Sequence, residues 1–417
     1  MEKTVFYEAV RDRLLRYAKI DTQSDPKSAA IPTTAKQFDL ARVLRDELTA
    51  IGASDVYLDP DKCVVYAKLP STLPDGGGRP VGFIAHLDTA PDAPGAHVRP
   101  WVLEDYDGGD IVLNEAENIV MRAADFPNLQ SYVGQDLVLT DGTTLLGGDD
   151  KAAIAAIMTM AEHYLKHPDL PHGPVSLAFT PDEEVGGLAR DLDLNRFGAD
   201  AAYTLDGDWL GYYEDETFNA SAARLDIRGR SVHTGTAKGI MVNAADIACE
   251  FASMLPRFEK PQYTEGREGF FHVTAIHGTC EHAFVELIVR DHDAERFSQR
   301  ESYLRTCEAA LAAKYGADAV SLSITETYRS MKEVVDRYPF LIENLTAAIR
   351  MAGLTPRSVA FRGGTDGSAL SHRGLPCPNL SAGYENAHGR FEYVPIRSME
   401  KNVEILLHLC SLFAEMP

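Results

Sequence analysis

Basic residues are scarce in this chain, which has 40 Lys and Arg residues against 62 Asp and Glu residues and a formal net charge of −22. Nucleic acids and anionic lipid surfaces attract proteins of the opposite charge, so this balance argues against both as partners. Long apolar runs are also lacking. Residues 1–20 alternate charged and apolar groups without a signal-peptide core, and the most apolar helical stretch, residues 152–161, is too short to span a bilayer. We therefore expect a cytoplasmic protein that binds neither nucleic acid nor membrane.

Paired cysteine motifs are absent as well. The six cysteines are far apart in the sequence, at positions 63, 249, 280, 307, 377 and 410. In a chain without a secretion signal, such isolated cysteines are expected to be reduced thiols, most of them in the core.

The chain does have length and apolar material, with 417 residues of which 45% are hydrophobic. This length exceeds the size at which single cores stop growing, so we expect two domains. Short apolar runs alternate with helical patterns, which predicts an α/β sheet buried on both faces. Four of these runs end in polar clusters, and ligands gather at the carboxyl ends of strands in such sheets. The runs cover residues 81–85, 175–179, 201–205 and 379–382.

The pattern changes at about residue 219, where strands and helices of a compact α+β unit are predicted. The strands are expected at 222–228, 285–290 and 321–327, and the helices at 241–255 and 301–315. Polar strand ends resume afterwards, so we interpret residues 217–330 as an insertion into a domain formed by residues 1–216 and 331–417. Residues 90–133 are polar and poorly periodic, which indicates a hairpin excursion or a rim to the site.

Potential metal ligands follow the predicted strands, and several of them are carboxylates. Carboxylates that converge without cations would repel one another, and their pKa values would rise. A mixture of imidazole and carboxylate suits zinc or a similar divalent ion, and the set is larger than one tetrahedral ion needs, so two metals are expected. The set comprises His86, Asp88, Asp149, Glu183, Glu184, Asp206 and His388.

Each of these motifs also has an ordinary interpretation when it is taken alone. His86 and Asp88 could be a surface pair, and the two glutamates could lie in a solvated loop. Asp149 could cap a helix, and Asp206 could form a turn before glycine. Their common position at strand ends is what favours the metal site.

The sequence resembles the tripeptide aminopeptidases of the glutamate-carboxypeptidase-like dizinc metallopeptidase family over nearly its whole length. Four blocks mark the wider family: HLDTA at 86–90, LLGGDDKA at 145–152, TPDEEVG at 180–186 and YTLDG at 203–207. Three further blocks point to the tripeptide aminopeptidases: GTAKG at 235–239, YTEG at 263–266 and RGGTDG at 362–367. The resemblance continues with GLPCPNL at 374–380 and NAHG at 386–389. The resemblance implies a mixed sheet flanked by helices, with a ferredoxin-like inserted lid or dimerisation domain.

The resemblance also implies roles for the metal-binding residues. Asp149 would bridge two zinc ions, for which cobalt or manganese could substitute. His86 and Asp206 would complete one site, and Glu184 and His388 the other. The family often has a cis peptide bond after the bridging aspartate.

Catalytic and substrate-binding roles are implied in the same way. Asp88 would support His86, and Glu183 would be the general base. His233 would stabilise the oxyanion, Arg290 would bind the substrate carboxylate, and Arg362 would face the substrate. A short peptide held at the metals and at Arg290 would be fixed at two points, so we expect N-terminal cleavage of tripeptides.

Some positions depart from the family pattern. Gly148 and Ala153 stand where alanine and glycine are usual, and Thr234 replaces a proline after His233. Near His388, aromatic neighbours are partly replaced by Glu385 and Ala387. Two alternatives stay open: a dipeptidase, carboxypeptidase or N-acyl-amino-acid deacylase of the same family, and a metal-binding protein without catalysis. A homodimer is also left open.

Overall fold

The computed structural model describes residues 3–187 and 189–417. Its α-helices are α1 (Tyr7–Tyr17), α2 (Gln37–Ile51), α3 (Gly148–Lys166), α4 (Leu194–Phe197), α5 (Ala244–Met254), α6 (Ala294–Tyr315), α7 (Lys332–Val335), α8 (Pro339–Met351), α9 (Asp366–His372) and α10 (Ile396–Ala414). Its strands are β1 (Ser54–Leu58), β2 (Val65–Leu69), β3 (Val81–His86), β4 (Trp101–Leu103), β5 (Ile111–Asn114), β6 (Ile119–Met121), β7 (Leu137–Leu139), β8 (Val175–Thr180), β9 (Ala201–Leu205), β10 (Tyr212–Thr217), β11 (Asn219–Arg228), β12 (Phe270–Gly278), β13 (His282–Asp291), β14 (Val320–Tyr328), β15 (Arg357–Phe361), β16 (Asn379–Leu380) and β17 (Val394–Pro395).

The chain divides into two compact units. The first runs to Asp215 and includes Glu333–Val359 and Thr365–Pro417. An eight-stranded sheet forms its centre, in the order β1-β2-β8-β3-β9-β16-β10-β15. The inner strands β8, β3, β9 and β16 are parallel, whereas β1 and β2 pair antiparallel with their neighbours and β10 pairs antiparallel with β16. The sheet is therefore mixed, which confirms the predicted α/β class.

Alternate side chains of the central strands enter two different cores. Phe83 and Leu177 pack with α1, α2, α3, α8 and α10 on one face, whereas Ile84 and Ala178 pack with residues of α4 and α9 on the other. Side chains of a strand alternate between faces, so a strand covered on both sides must be apolar throughout. This explains why these strands are continuous apolar runs in the sequence.

The polar stretch after β3 forms a small separate layer. β5 and β6 make an antiparallel hairpin, and β4 joins β7 and β17 in a three-stranded sheet. The layer has its own core around Tyr106, Leu129 and Tyr393. The predicted excursion thus contains a hairpin.

The second unit consists of Glu216–Lys332 together with Ala360–Gly364. Its four strands form an antiparallel sheet in the order β12-β13-β11-β14, and α5 and α6 pack on one face of it. The succession β11-α5-β12-β13-α6-β14 with this order is a ferredoxin-like arrangement. It agrees with the open-faced α+β unit expected from the sequence, although the short segment 360–364 was not expected to join it.

Both helices of this unit begin elsewhere than predicted. α5 begins at Ala244 because the Asn243 side chain caps it by accepting from the backbone of Ala245. α6 begins at Ala294, seven residues before the predicted start at 301, because Asp293 caps it by accepting from Arg296 N. The first turns of α6 are largely exposed and polar, so the apolar periodicity that marks a helix is weak there.

All six cysteines are free, and four of them are buried, as expected for core thiols. Within the described ranges, no helix is both long and apolar enough to cross a membrane.

Candidate metal centre

Three neighbouring strands of the large sheet end at one edge with polar residues. β3 lies between β8 and β9 and runs parallel to both. His86 is the last residue of β3 and is in register with Thr180, the last residue of β8. Glu183 and Glu184 follow β8 after a short turn, and Asp206 directly follows β9. Because parallel strands present their carboxyl ends at a common edge, the sheet itself collects these side chains.

Asp149 lies at the start of α3, and its peptide bond to Asp150 is cis, as the resemblance implies. Oδ1 of Asp149 is 2.9 Å from Nε2 of His86, and Oδ2 is 3.2 Å from Nε2 of His388. The same nitrogen of His388 is 2.9 Å from Oε2 of Glu184. The two oxygens of one carboxylate therefore face two different histidines, which is the arrangement expected of a carboxylate shared by two metal ions.

Two overlapping groups of side chains could each hold a cation. His86, Asp149 and Glu184 form the first group, and His86, Glu183 and Asp206 form the second. Within each group, one ligand atom from every residue lies within 4.8 Å of the others. The sequence-predicted ligands are thus brought together, and Glu183, predicted to be the base, is close enough to compete as a ligand.

The crowding of ionisable side chains at this site shifts their pKa values. Burial, followed by the neighbouring Asp149, raises the pKa of Glu184 to about 7 and that of Asp206 to about 6. Hydrogen bonds with Asp149 and Glu184 raise the pKa of His388 to about 11. Burial, followed by the charge of Asp206, also raises the pKa of Glu183 well above its usual range. Burial opposes the ionisation of Asp149 as well, but its hydrogen bonds with His388 and His86 lower its pKa. Crowded carboxylates such as Glu184 therefore take up protons more readily than free carboxylates do, and bound cations would reverse this shift.

The residues present fit a two-metal centre. Glu184 Oε1 is buried, and no hydrogen-bond partner for it exists in the described part of the chain. A buried acceptor without a partner is costly, and a metal ion would satisfy it. Two imidazoles and several carboxylates form a donor set that suits zinc and similar divalent ions.

Asp88 supports the site through hydrogen bonds. Its carboxylate accepts hydrogen bonds from Glu183 N at 3.0 Å and from Glu184 N at 3.2 Å. Its Oδ1 is also 3.4 Å from Nδ1 of His86, whose ring nitrogen lies 3.0 Å from the Asp88 carbonyl oxygen. Such partners orient a metal ligand and tune its basicity. Asp88 thus touches the histidine and the backbone of both glutamates.

Two residues without a predicted role, Tyr384 and Glu392, contact the segments that carry ligands. The Tyr384 hydroxyl donates to Asp206 Oδ1 at 2.5 Å. The Glu392 carboxylate accepts from Leu146 N, Gly147 N and Asp149 N at 2.8, 2.7 and 2.9 Å. The sequence offers a sign of this role for Glu392 alone. It stands between the aromatic residues Phe391 and Tyr393, where a charged side chain is unusual.

A third residue without a predicted role is Asp182, which precedes the glutamate pair in the TPDEEVG block. It accepts hydrogen bonds from Thr33 N at 2.8 Å and from Gln37 Nε2 at 2.6 Å. The loop before α2 is therefore tied to the turn that carries Glu183 and Glu184.

The remaining predicted residues lie in the second unit. His233 is exposed, and its Nδ1 accepts from Gly235 N at 3.1 Å, which leaves Nε2 to carry the ring proton. The Arg290 guanidinium donates to Ser221 O at 3.1 Å and to Val289 O at 2.9 Å.

Arg362, also in the second unit, holds a loop. It donates to the carbonyl oxygens of Gly266 and Glu268 and to the hydroxyl of Thr264, each at 2.8 Å. Its guanidinium therefore joins two of the blocks that point to the tripeptide aminopeptidases, RGGTDG and YTEG.

The sequence is similar to those of known peptidases. A family model described as a peptidase dimerisation domain matches residues 216–319. Peptidase T of Geobacillus thermodenitrificans is 46% identical over 404 residues, covering 97% of this chain and 98% of the relative. Peptidase T of Alkaliphilus oremlandii is 45% identical with the same coverage.

Solved structures share the fold. Aminopeptidase PepT of Bacillus cereus aligns with a TM-score of 0.77 at 22% identity, covering 98% of this chain and 99% of that one. A dinuclear metal-binding peptidase of the M20 family from Bacillus subtilis aligns with a TM-score of 0.69 at 13% identity, covering 100% of both chains. Because relatives that are 45–46% identical cover nearly its whole length, the chain belongs to the peptidase T family of M20 metallopeptidases.

Proposed function

We propose that this protein is a zinc-dependent aminopeptidase that removes the N-terminal residue from tripeptides. The observation that carries the proposal is the position of Asp149, whose two carboxylate oxygens face His86 and His388 at 2.9 and 3.2 Å. The names of the peptidase T relatives and of the Bacillus cereus aminopeptidase support the reaction.

Two zinc ions would be held with Asp149 between them. His86 and Asp206 would complete one site, and Glu184 and His388 the other. When bound, such ions lower the pKa of a bound water and polarise a carbonyl oxygen. Cobalt and manganese accept the same donor set and would serve as substitutes.

Glu183 is proposed as the general base. Its backbone is fixed by Asp88, and its side chain lies beside the ligand atoms of His86 and Asp206. A carboxylate at this place can take a proton from the attacking water and later transfer it to the leaving amine. Glu183 thereby holds the proton between the two halves of the reaction.

His233 and Arg290 are proposed to contact the substrate. His233 has its Nε2 proton available as a donor for the oxyanion. Arg290 is held on β13 by carbonyl oxygens and lies over the Tyr328 ring at 5.2 Å, which restricts its orientation for a substrate carboxylate. For Arg362, the contacts support an indirect contribution through the 264–268 loop.

We also propose an oligomeric state and a location in the cell. The match of residues 216–319 to a peptidase dimerisation domain supports a homodimer. Six free cysteines support the cytoplasm as the location, since disulfides are rare there.

Peptide digestion tests the proposed function. The purified protein, loaded with zinc, is incubated with a tripeptide, with the same tripeptide acetylated at its N-terminus, and with the corresponding N-acyl amino acid, and the products are identified by mass. We expect release of the N-terminal residue from the free tripeptide. Preferred release of the C-terminal residue or of the acyl group would overturn the proposal in favour of a carboxypeptidase or a deacylase.

A further inference from the structure

A short loop carries the last predicted metal ligand. The segment 384–393, which we call the histidine loop, is closed by backbone hydrogen bonds in both directions between Glu385 and Tyr393, at 2.9 and 3.0 Å. Inside it, Asn386 Nδ2 donates to Phe391 O at 3.1 Å. Asn386 and His388 both have positive φ values, 57° and 62°, so the loop is tightly turned around His388. Hydrogen bonds on both sides of His388 thus close the loop that carries it.

One end of the histidine loop contacts a second predicted ligand. Tyr384 is 3% exposed, and its hydroxyl donates to Asp206 Oδ1 at 2.5 Å. The same hydroxyl accepts from Gly207 N at 2.7 Å. Because a phenol can donate and accept at once, Tyr384 holds both the carboxylate of Asp206 and the backbone that follows it.

The other end contacts the turn that carries the bridging aspartate. Glu392 is 2% exposed, with Oε2 accepting from Leu146 N and Gly147 N and Oε1 accepting from Asp149 N. A Cβ atom added at Gly148 would lie 3.0 Å from Glu392 Oε1, so this turn packs directly on the carboxylate. Hydrogen bonds to a buried carboxylate are among the stronger ones in proteins.

We propose that Tyr384 and Glu392 are positioning residues through which the histidine loop sets the geometry of both metal sites. The loop supplies His388 itself, orients Asp206 through Tyr384, and orients Asp149 through Glu392. This inference rests on the two-metal centre proposed above. It has a specific consequence: Tyr384 acts on a ligand of one ion, whereas Glu392 acts on the ligand that both ions share.

A purely structural role for these residues predicts something different. If they serve only the fold, their loss lowers the stability of the metal-free protein and leaves the metal affinity of the folded protein unchanged. If they position ligands, the affinity falls in folded protein, because metal ligands lose orientation when their supporting hydrogen bonds are removed.

Metal titration of three variants of the full chain distinguishes these cases. Tyr384→Phe removes one hydroxyl, and Glu392→Gln places an amide group opposite a backbone N–H donor. Tyr393→Phe is the matched control, since the buried Tyr393 hydroxyl has no hydrogen-bond partner among residues 3–187 and 189–417. Metal-free proteins are titrated with Zn²⁺ by calorimetry and with Co²⁺ by its visible absorption, and their thermal unfolding is recorded.

We expect Tyr384→Phe to weaken one of the two binding events by about 10- to 100-fold and to change the Co²⁺ spectrum of that site only. Glu392→Gln is expected to weaken both events by a similar factor, and Tyr393→Phe to titrate as the unaltered protein does. The inference would be overturned if all three variants bound both metal ions as tightly as the unaltered protein does. It would also be overturned if Tyr384→Phe weakened both metal-binding events equally. Should Glu392→Gln fail to fold, Tyr384→Phe against Tyr393→Phe decides alone. If the unaltered protein binds no metal, the proposed function fails instead.

Discussion

Gln37 and Asp182 hold each other by two hydrogen bonds across 145 positions of sequence. Gln37 Nε2 donates to Asp182 Oδ1 at 2.6 Å, and Asp182 N donates to Gln37 Oε1 at 3.2 Å. Asp182 has a φ of 63° and directly precedes Glu183 and Glu184. The first residue of α2 thus fixes the turn on which the proposed base and a proposed ligand stand.

Replacing Gln37 is therefore expected to affect stability and activity together. Gln37→Met retains the side-chain length but leaves the buried Asp182 carboxylate with fewer donors, which costs about 1–3 kcal/mol in the free energy of unfolding. Urea unfolding and kcat measure the two effects. Arg42→Ala, an exposed change on the same helix, should stay within about 0.5 kcal/mol. Equal stability of the two variants would contradict the role of Gln37.

The variant Glu183→Gln distinguishes two possible roles of Glu183, general base and metal ligand. If Glu183 is the base, the variant keeps both metals and loses about two to four orders of magnitude in kcat. Glu184→Gln serves as the comparison and should lose metal, because Glu184 is a proposed ligand. Metal analysis of both variants, together with kcat, is the measurement. Near-normal turnover of Glu183→Gln would exclude it as the base, and loss of one metal would make it a ligand of the group it forms with His86 and Asp206.

Removal of the metals should destabilise the protein as well as inactivate it. Without cations, the buried carboxylate of Glu184 lies beside that of Asp149, and burial together with the charge of Asp149 raises the pKa of Asp206. A metal present at about 1,000 times its Kd stabilises the folded protein by about 4 kcal/mol. Chelator-treated protein should therefore melt at a lower temperature and recover when zinc, cobalt or manganese is added. Full activity in protein shown by elemental analysis to contain no divalent metal would refute the metal centre.

We expect Arg290 to make the efficiency of cleavage depend on the length of the peptide. If the scissile carbonyl is held at the metals and the terminal carboxylate at Arg290, one residue more or fewer displaces the carboxylate by about 3.3–3.6 Å. Displacement on this scale breaks a paired hydrogen bond and impairs positioning. We expect tripeptides to be cleaved with a higher kcat/KM than dipeptides and tetrapeptides.

The matched variants for this prediction lie on one sheet. Arg290→Ala should reduce the preference for tripeptides, whereas Arg224→Ala should not, because Arg224 is already paired with Asp226 and Glu286. Values of kcat/KM for a series of two to four residues measure the preference. Equal values for all three lengths in the unaltered protein would end the hypothesis.

The α/β sheet class and the candidate ligands were predictable from the amino-acid sequence alone. His86 ends an apolar run that is long enough to be a buried strand, Asp206 follows another, and Asp149 lies at the start of an apolar helix. These signals are local, because the spacing of apolar residues depends only on the element to which they belong. The residue types at the strand ends then limited the chemistry to divalent metals.

The residues that hold those ligands in place became evident in the folded chain. Gln37 with Asp182, Tyr384 with Asp206 and Glu392 with Leu146 are partners separated by 145, 178 and 246 positions. Whether such side chains meet depends on the order of strands in the sheet and on how loops from distant parts of the chain return to the same edge. No local pattern in the sequence marks a buried glutamate as the partner of backbone amides elsewhere, because that bond exists only once the sheet is assembled.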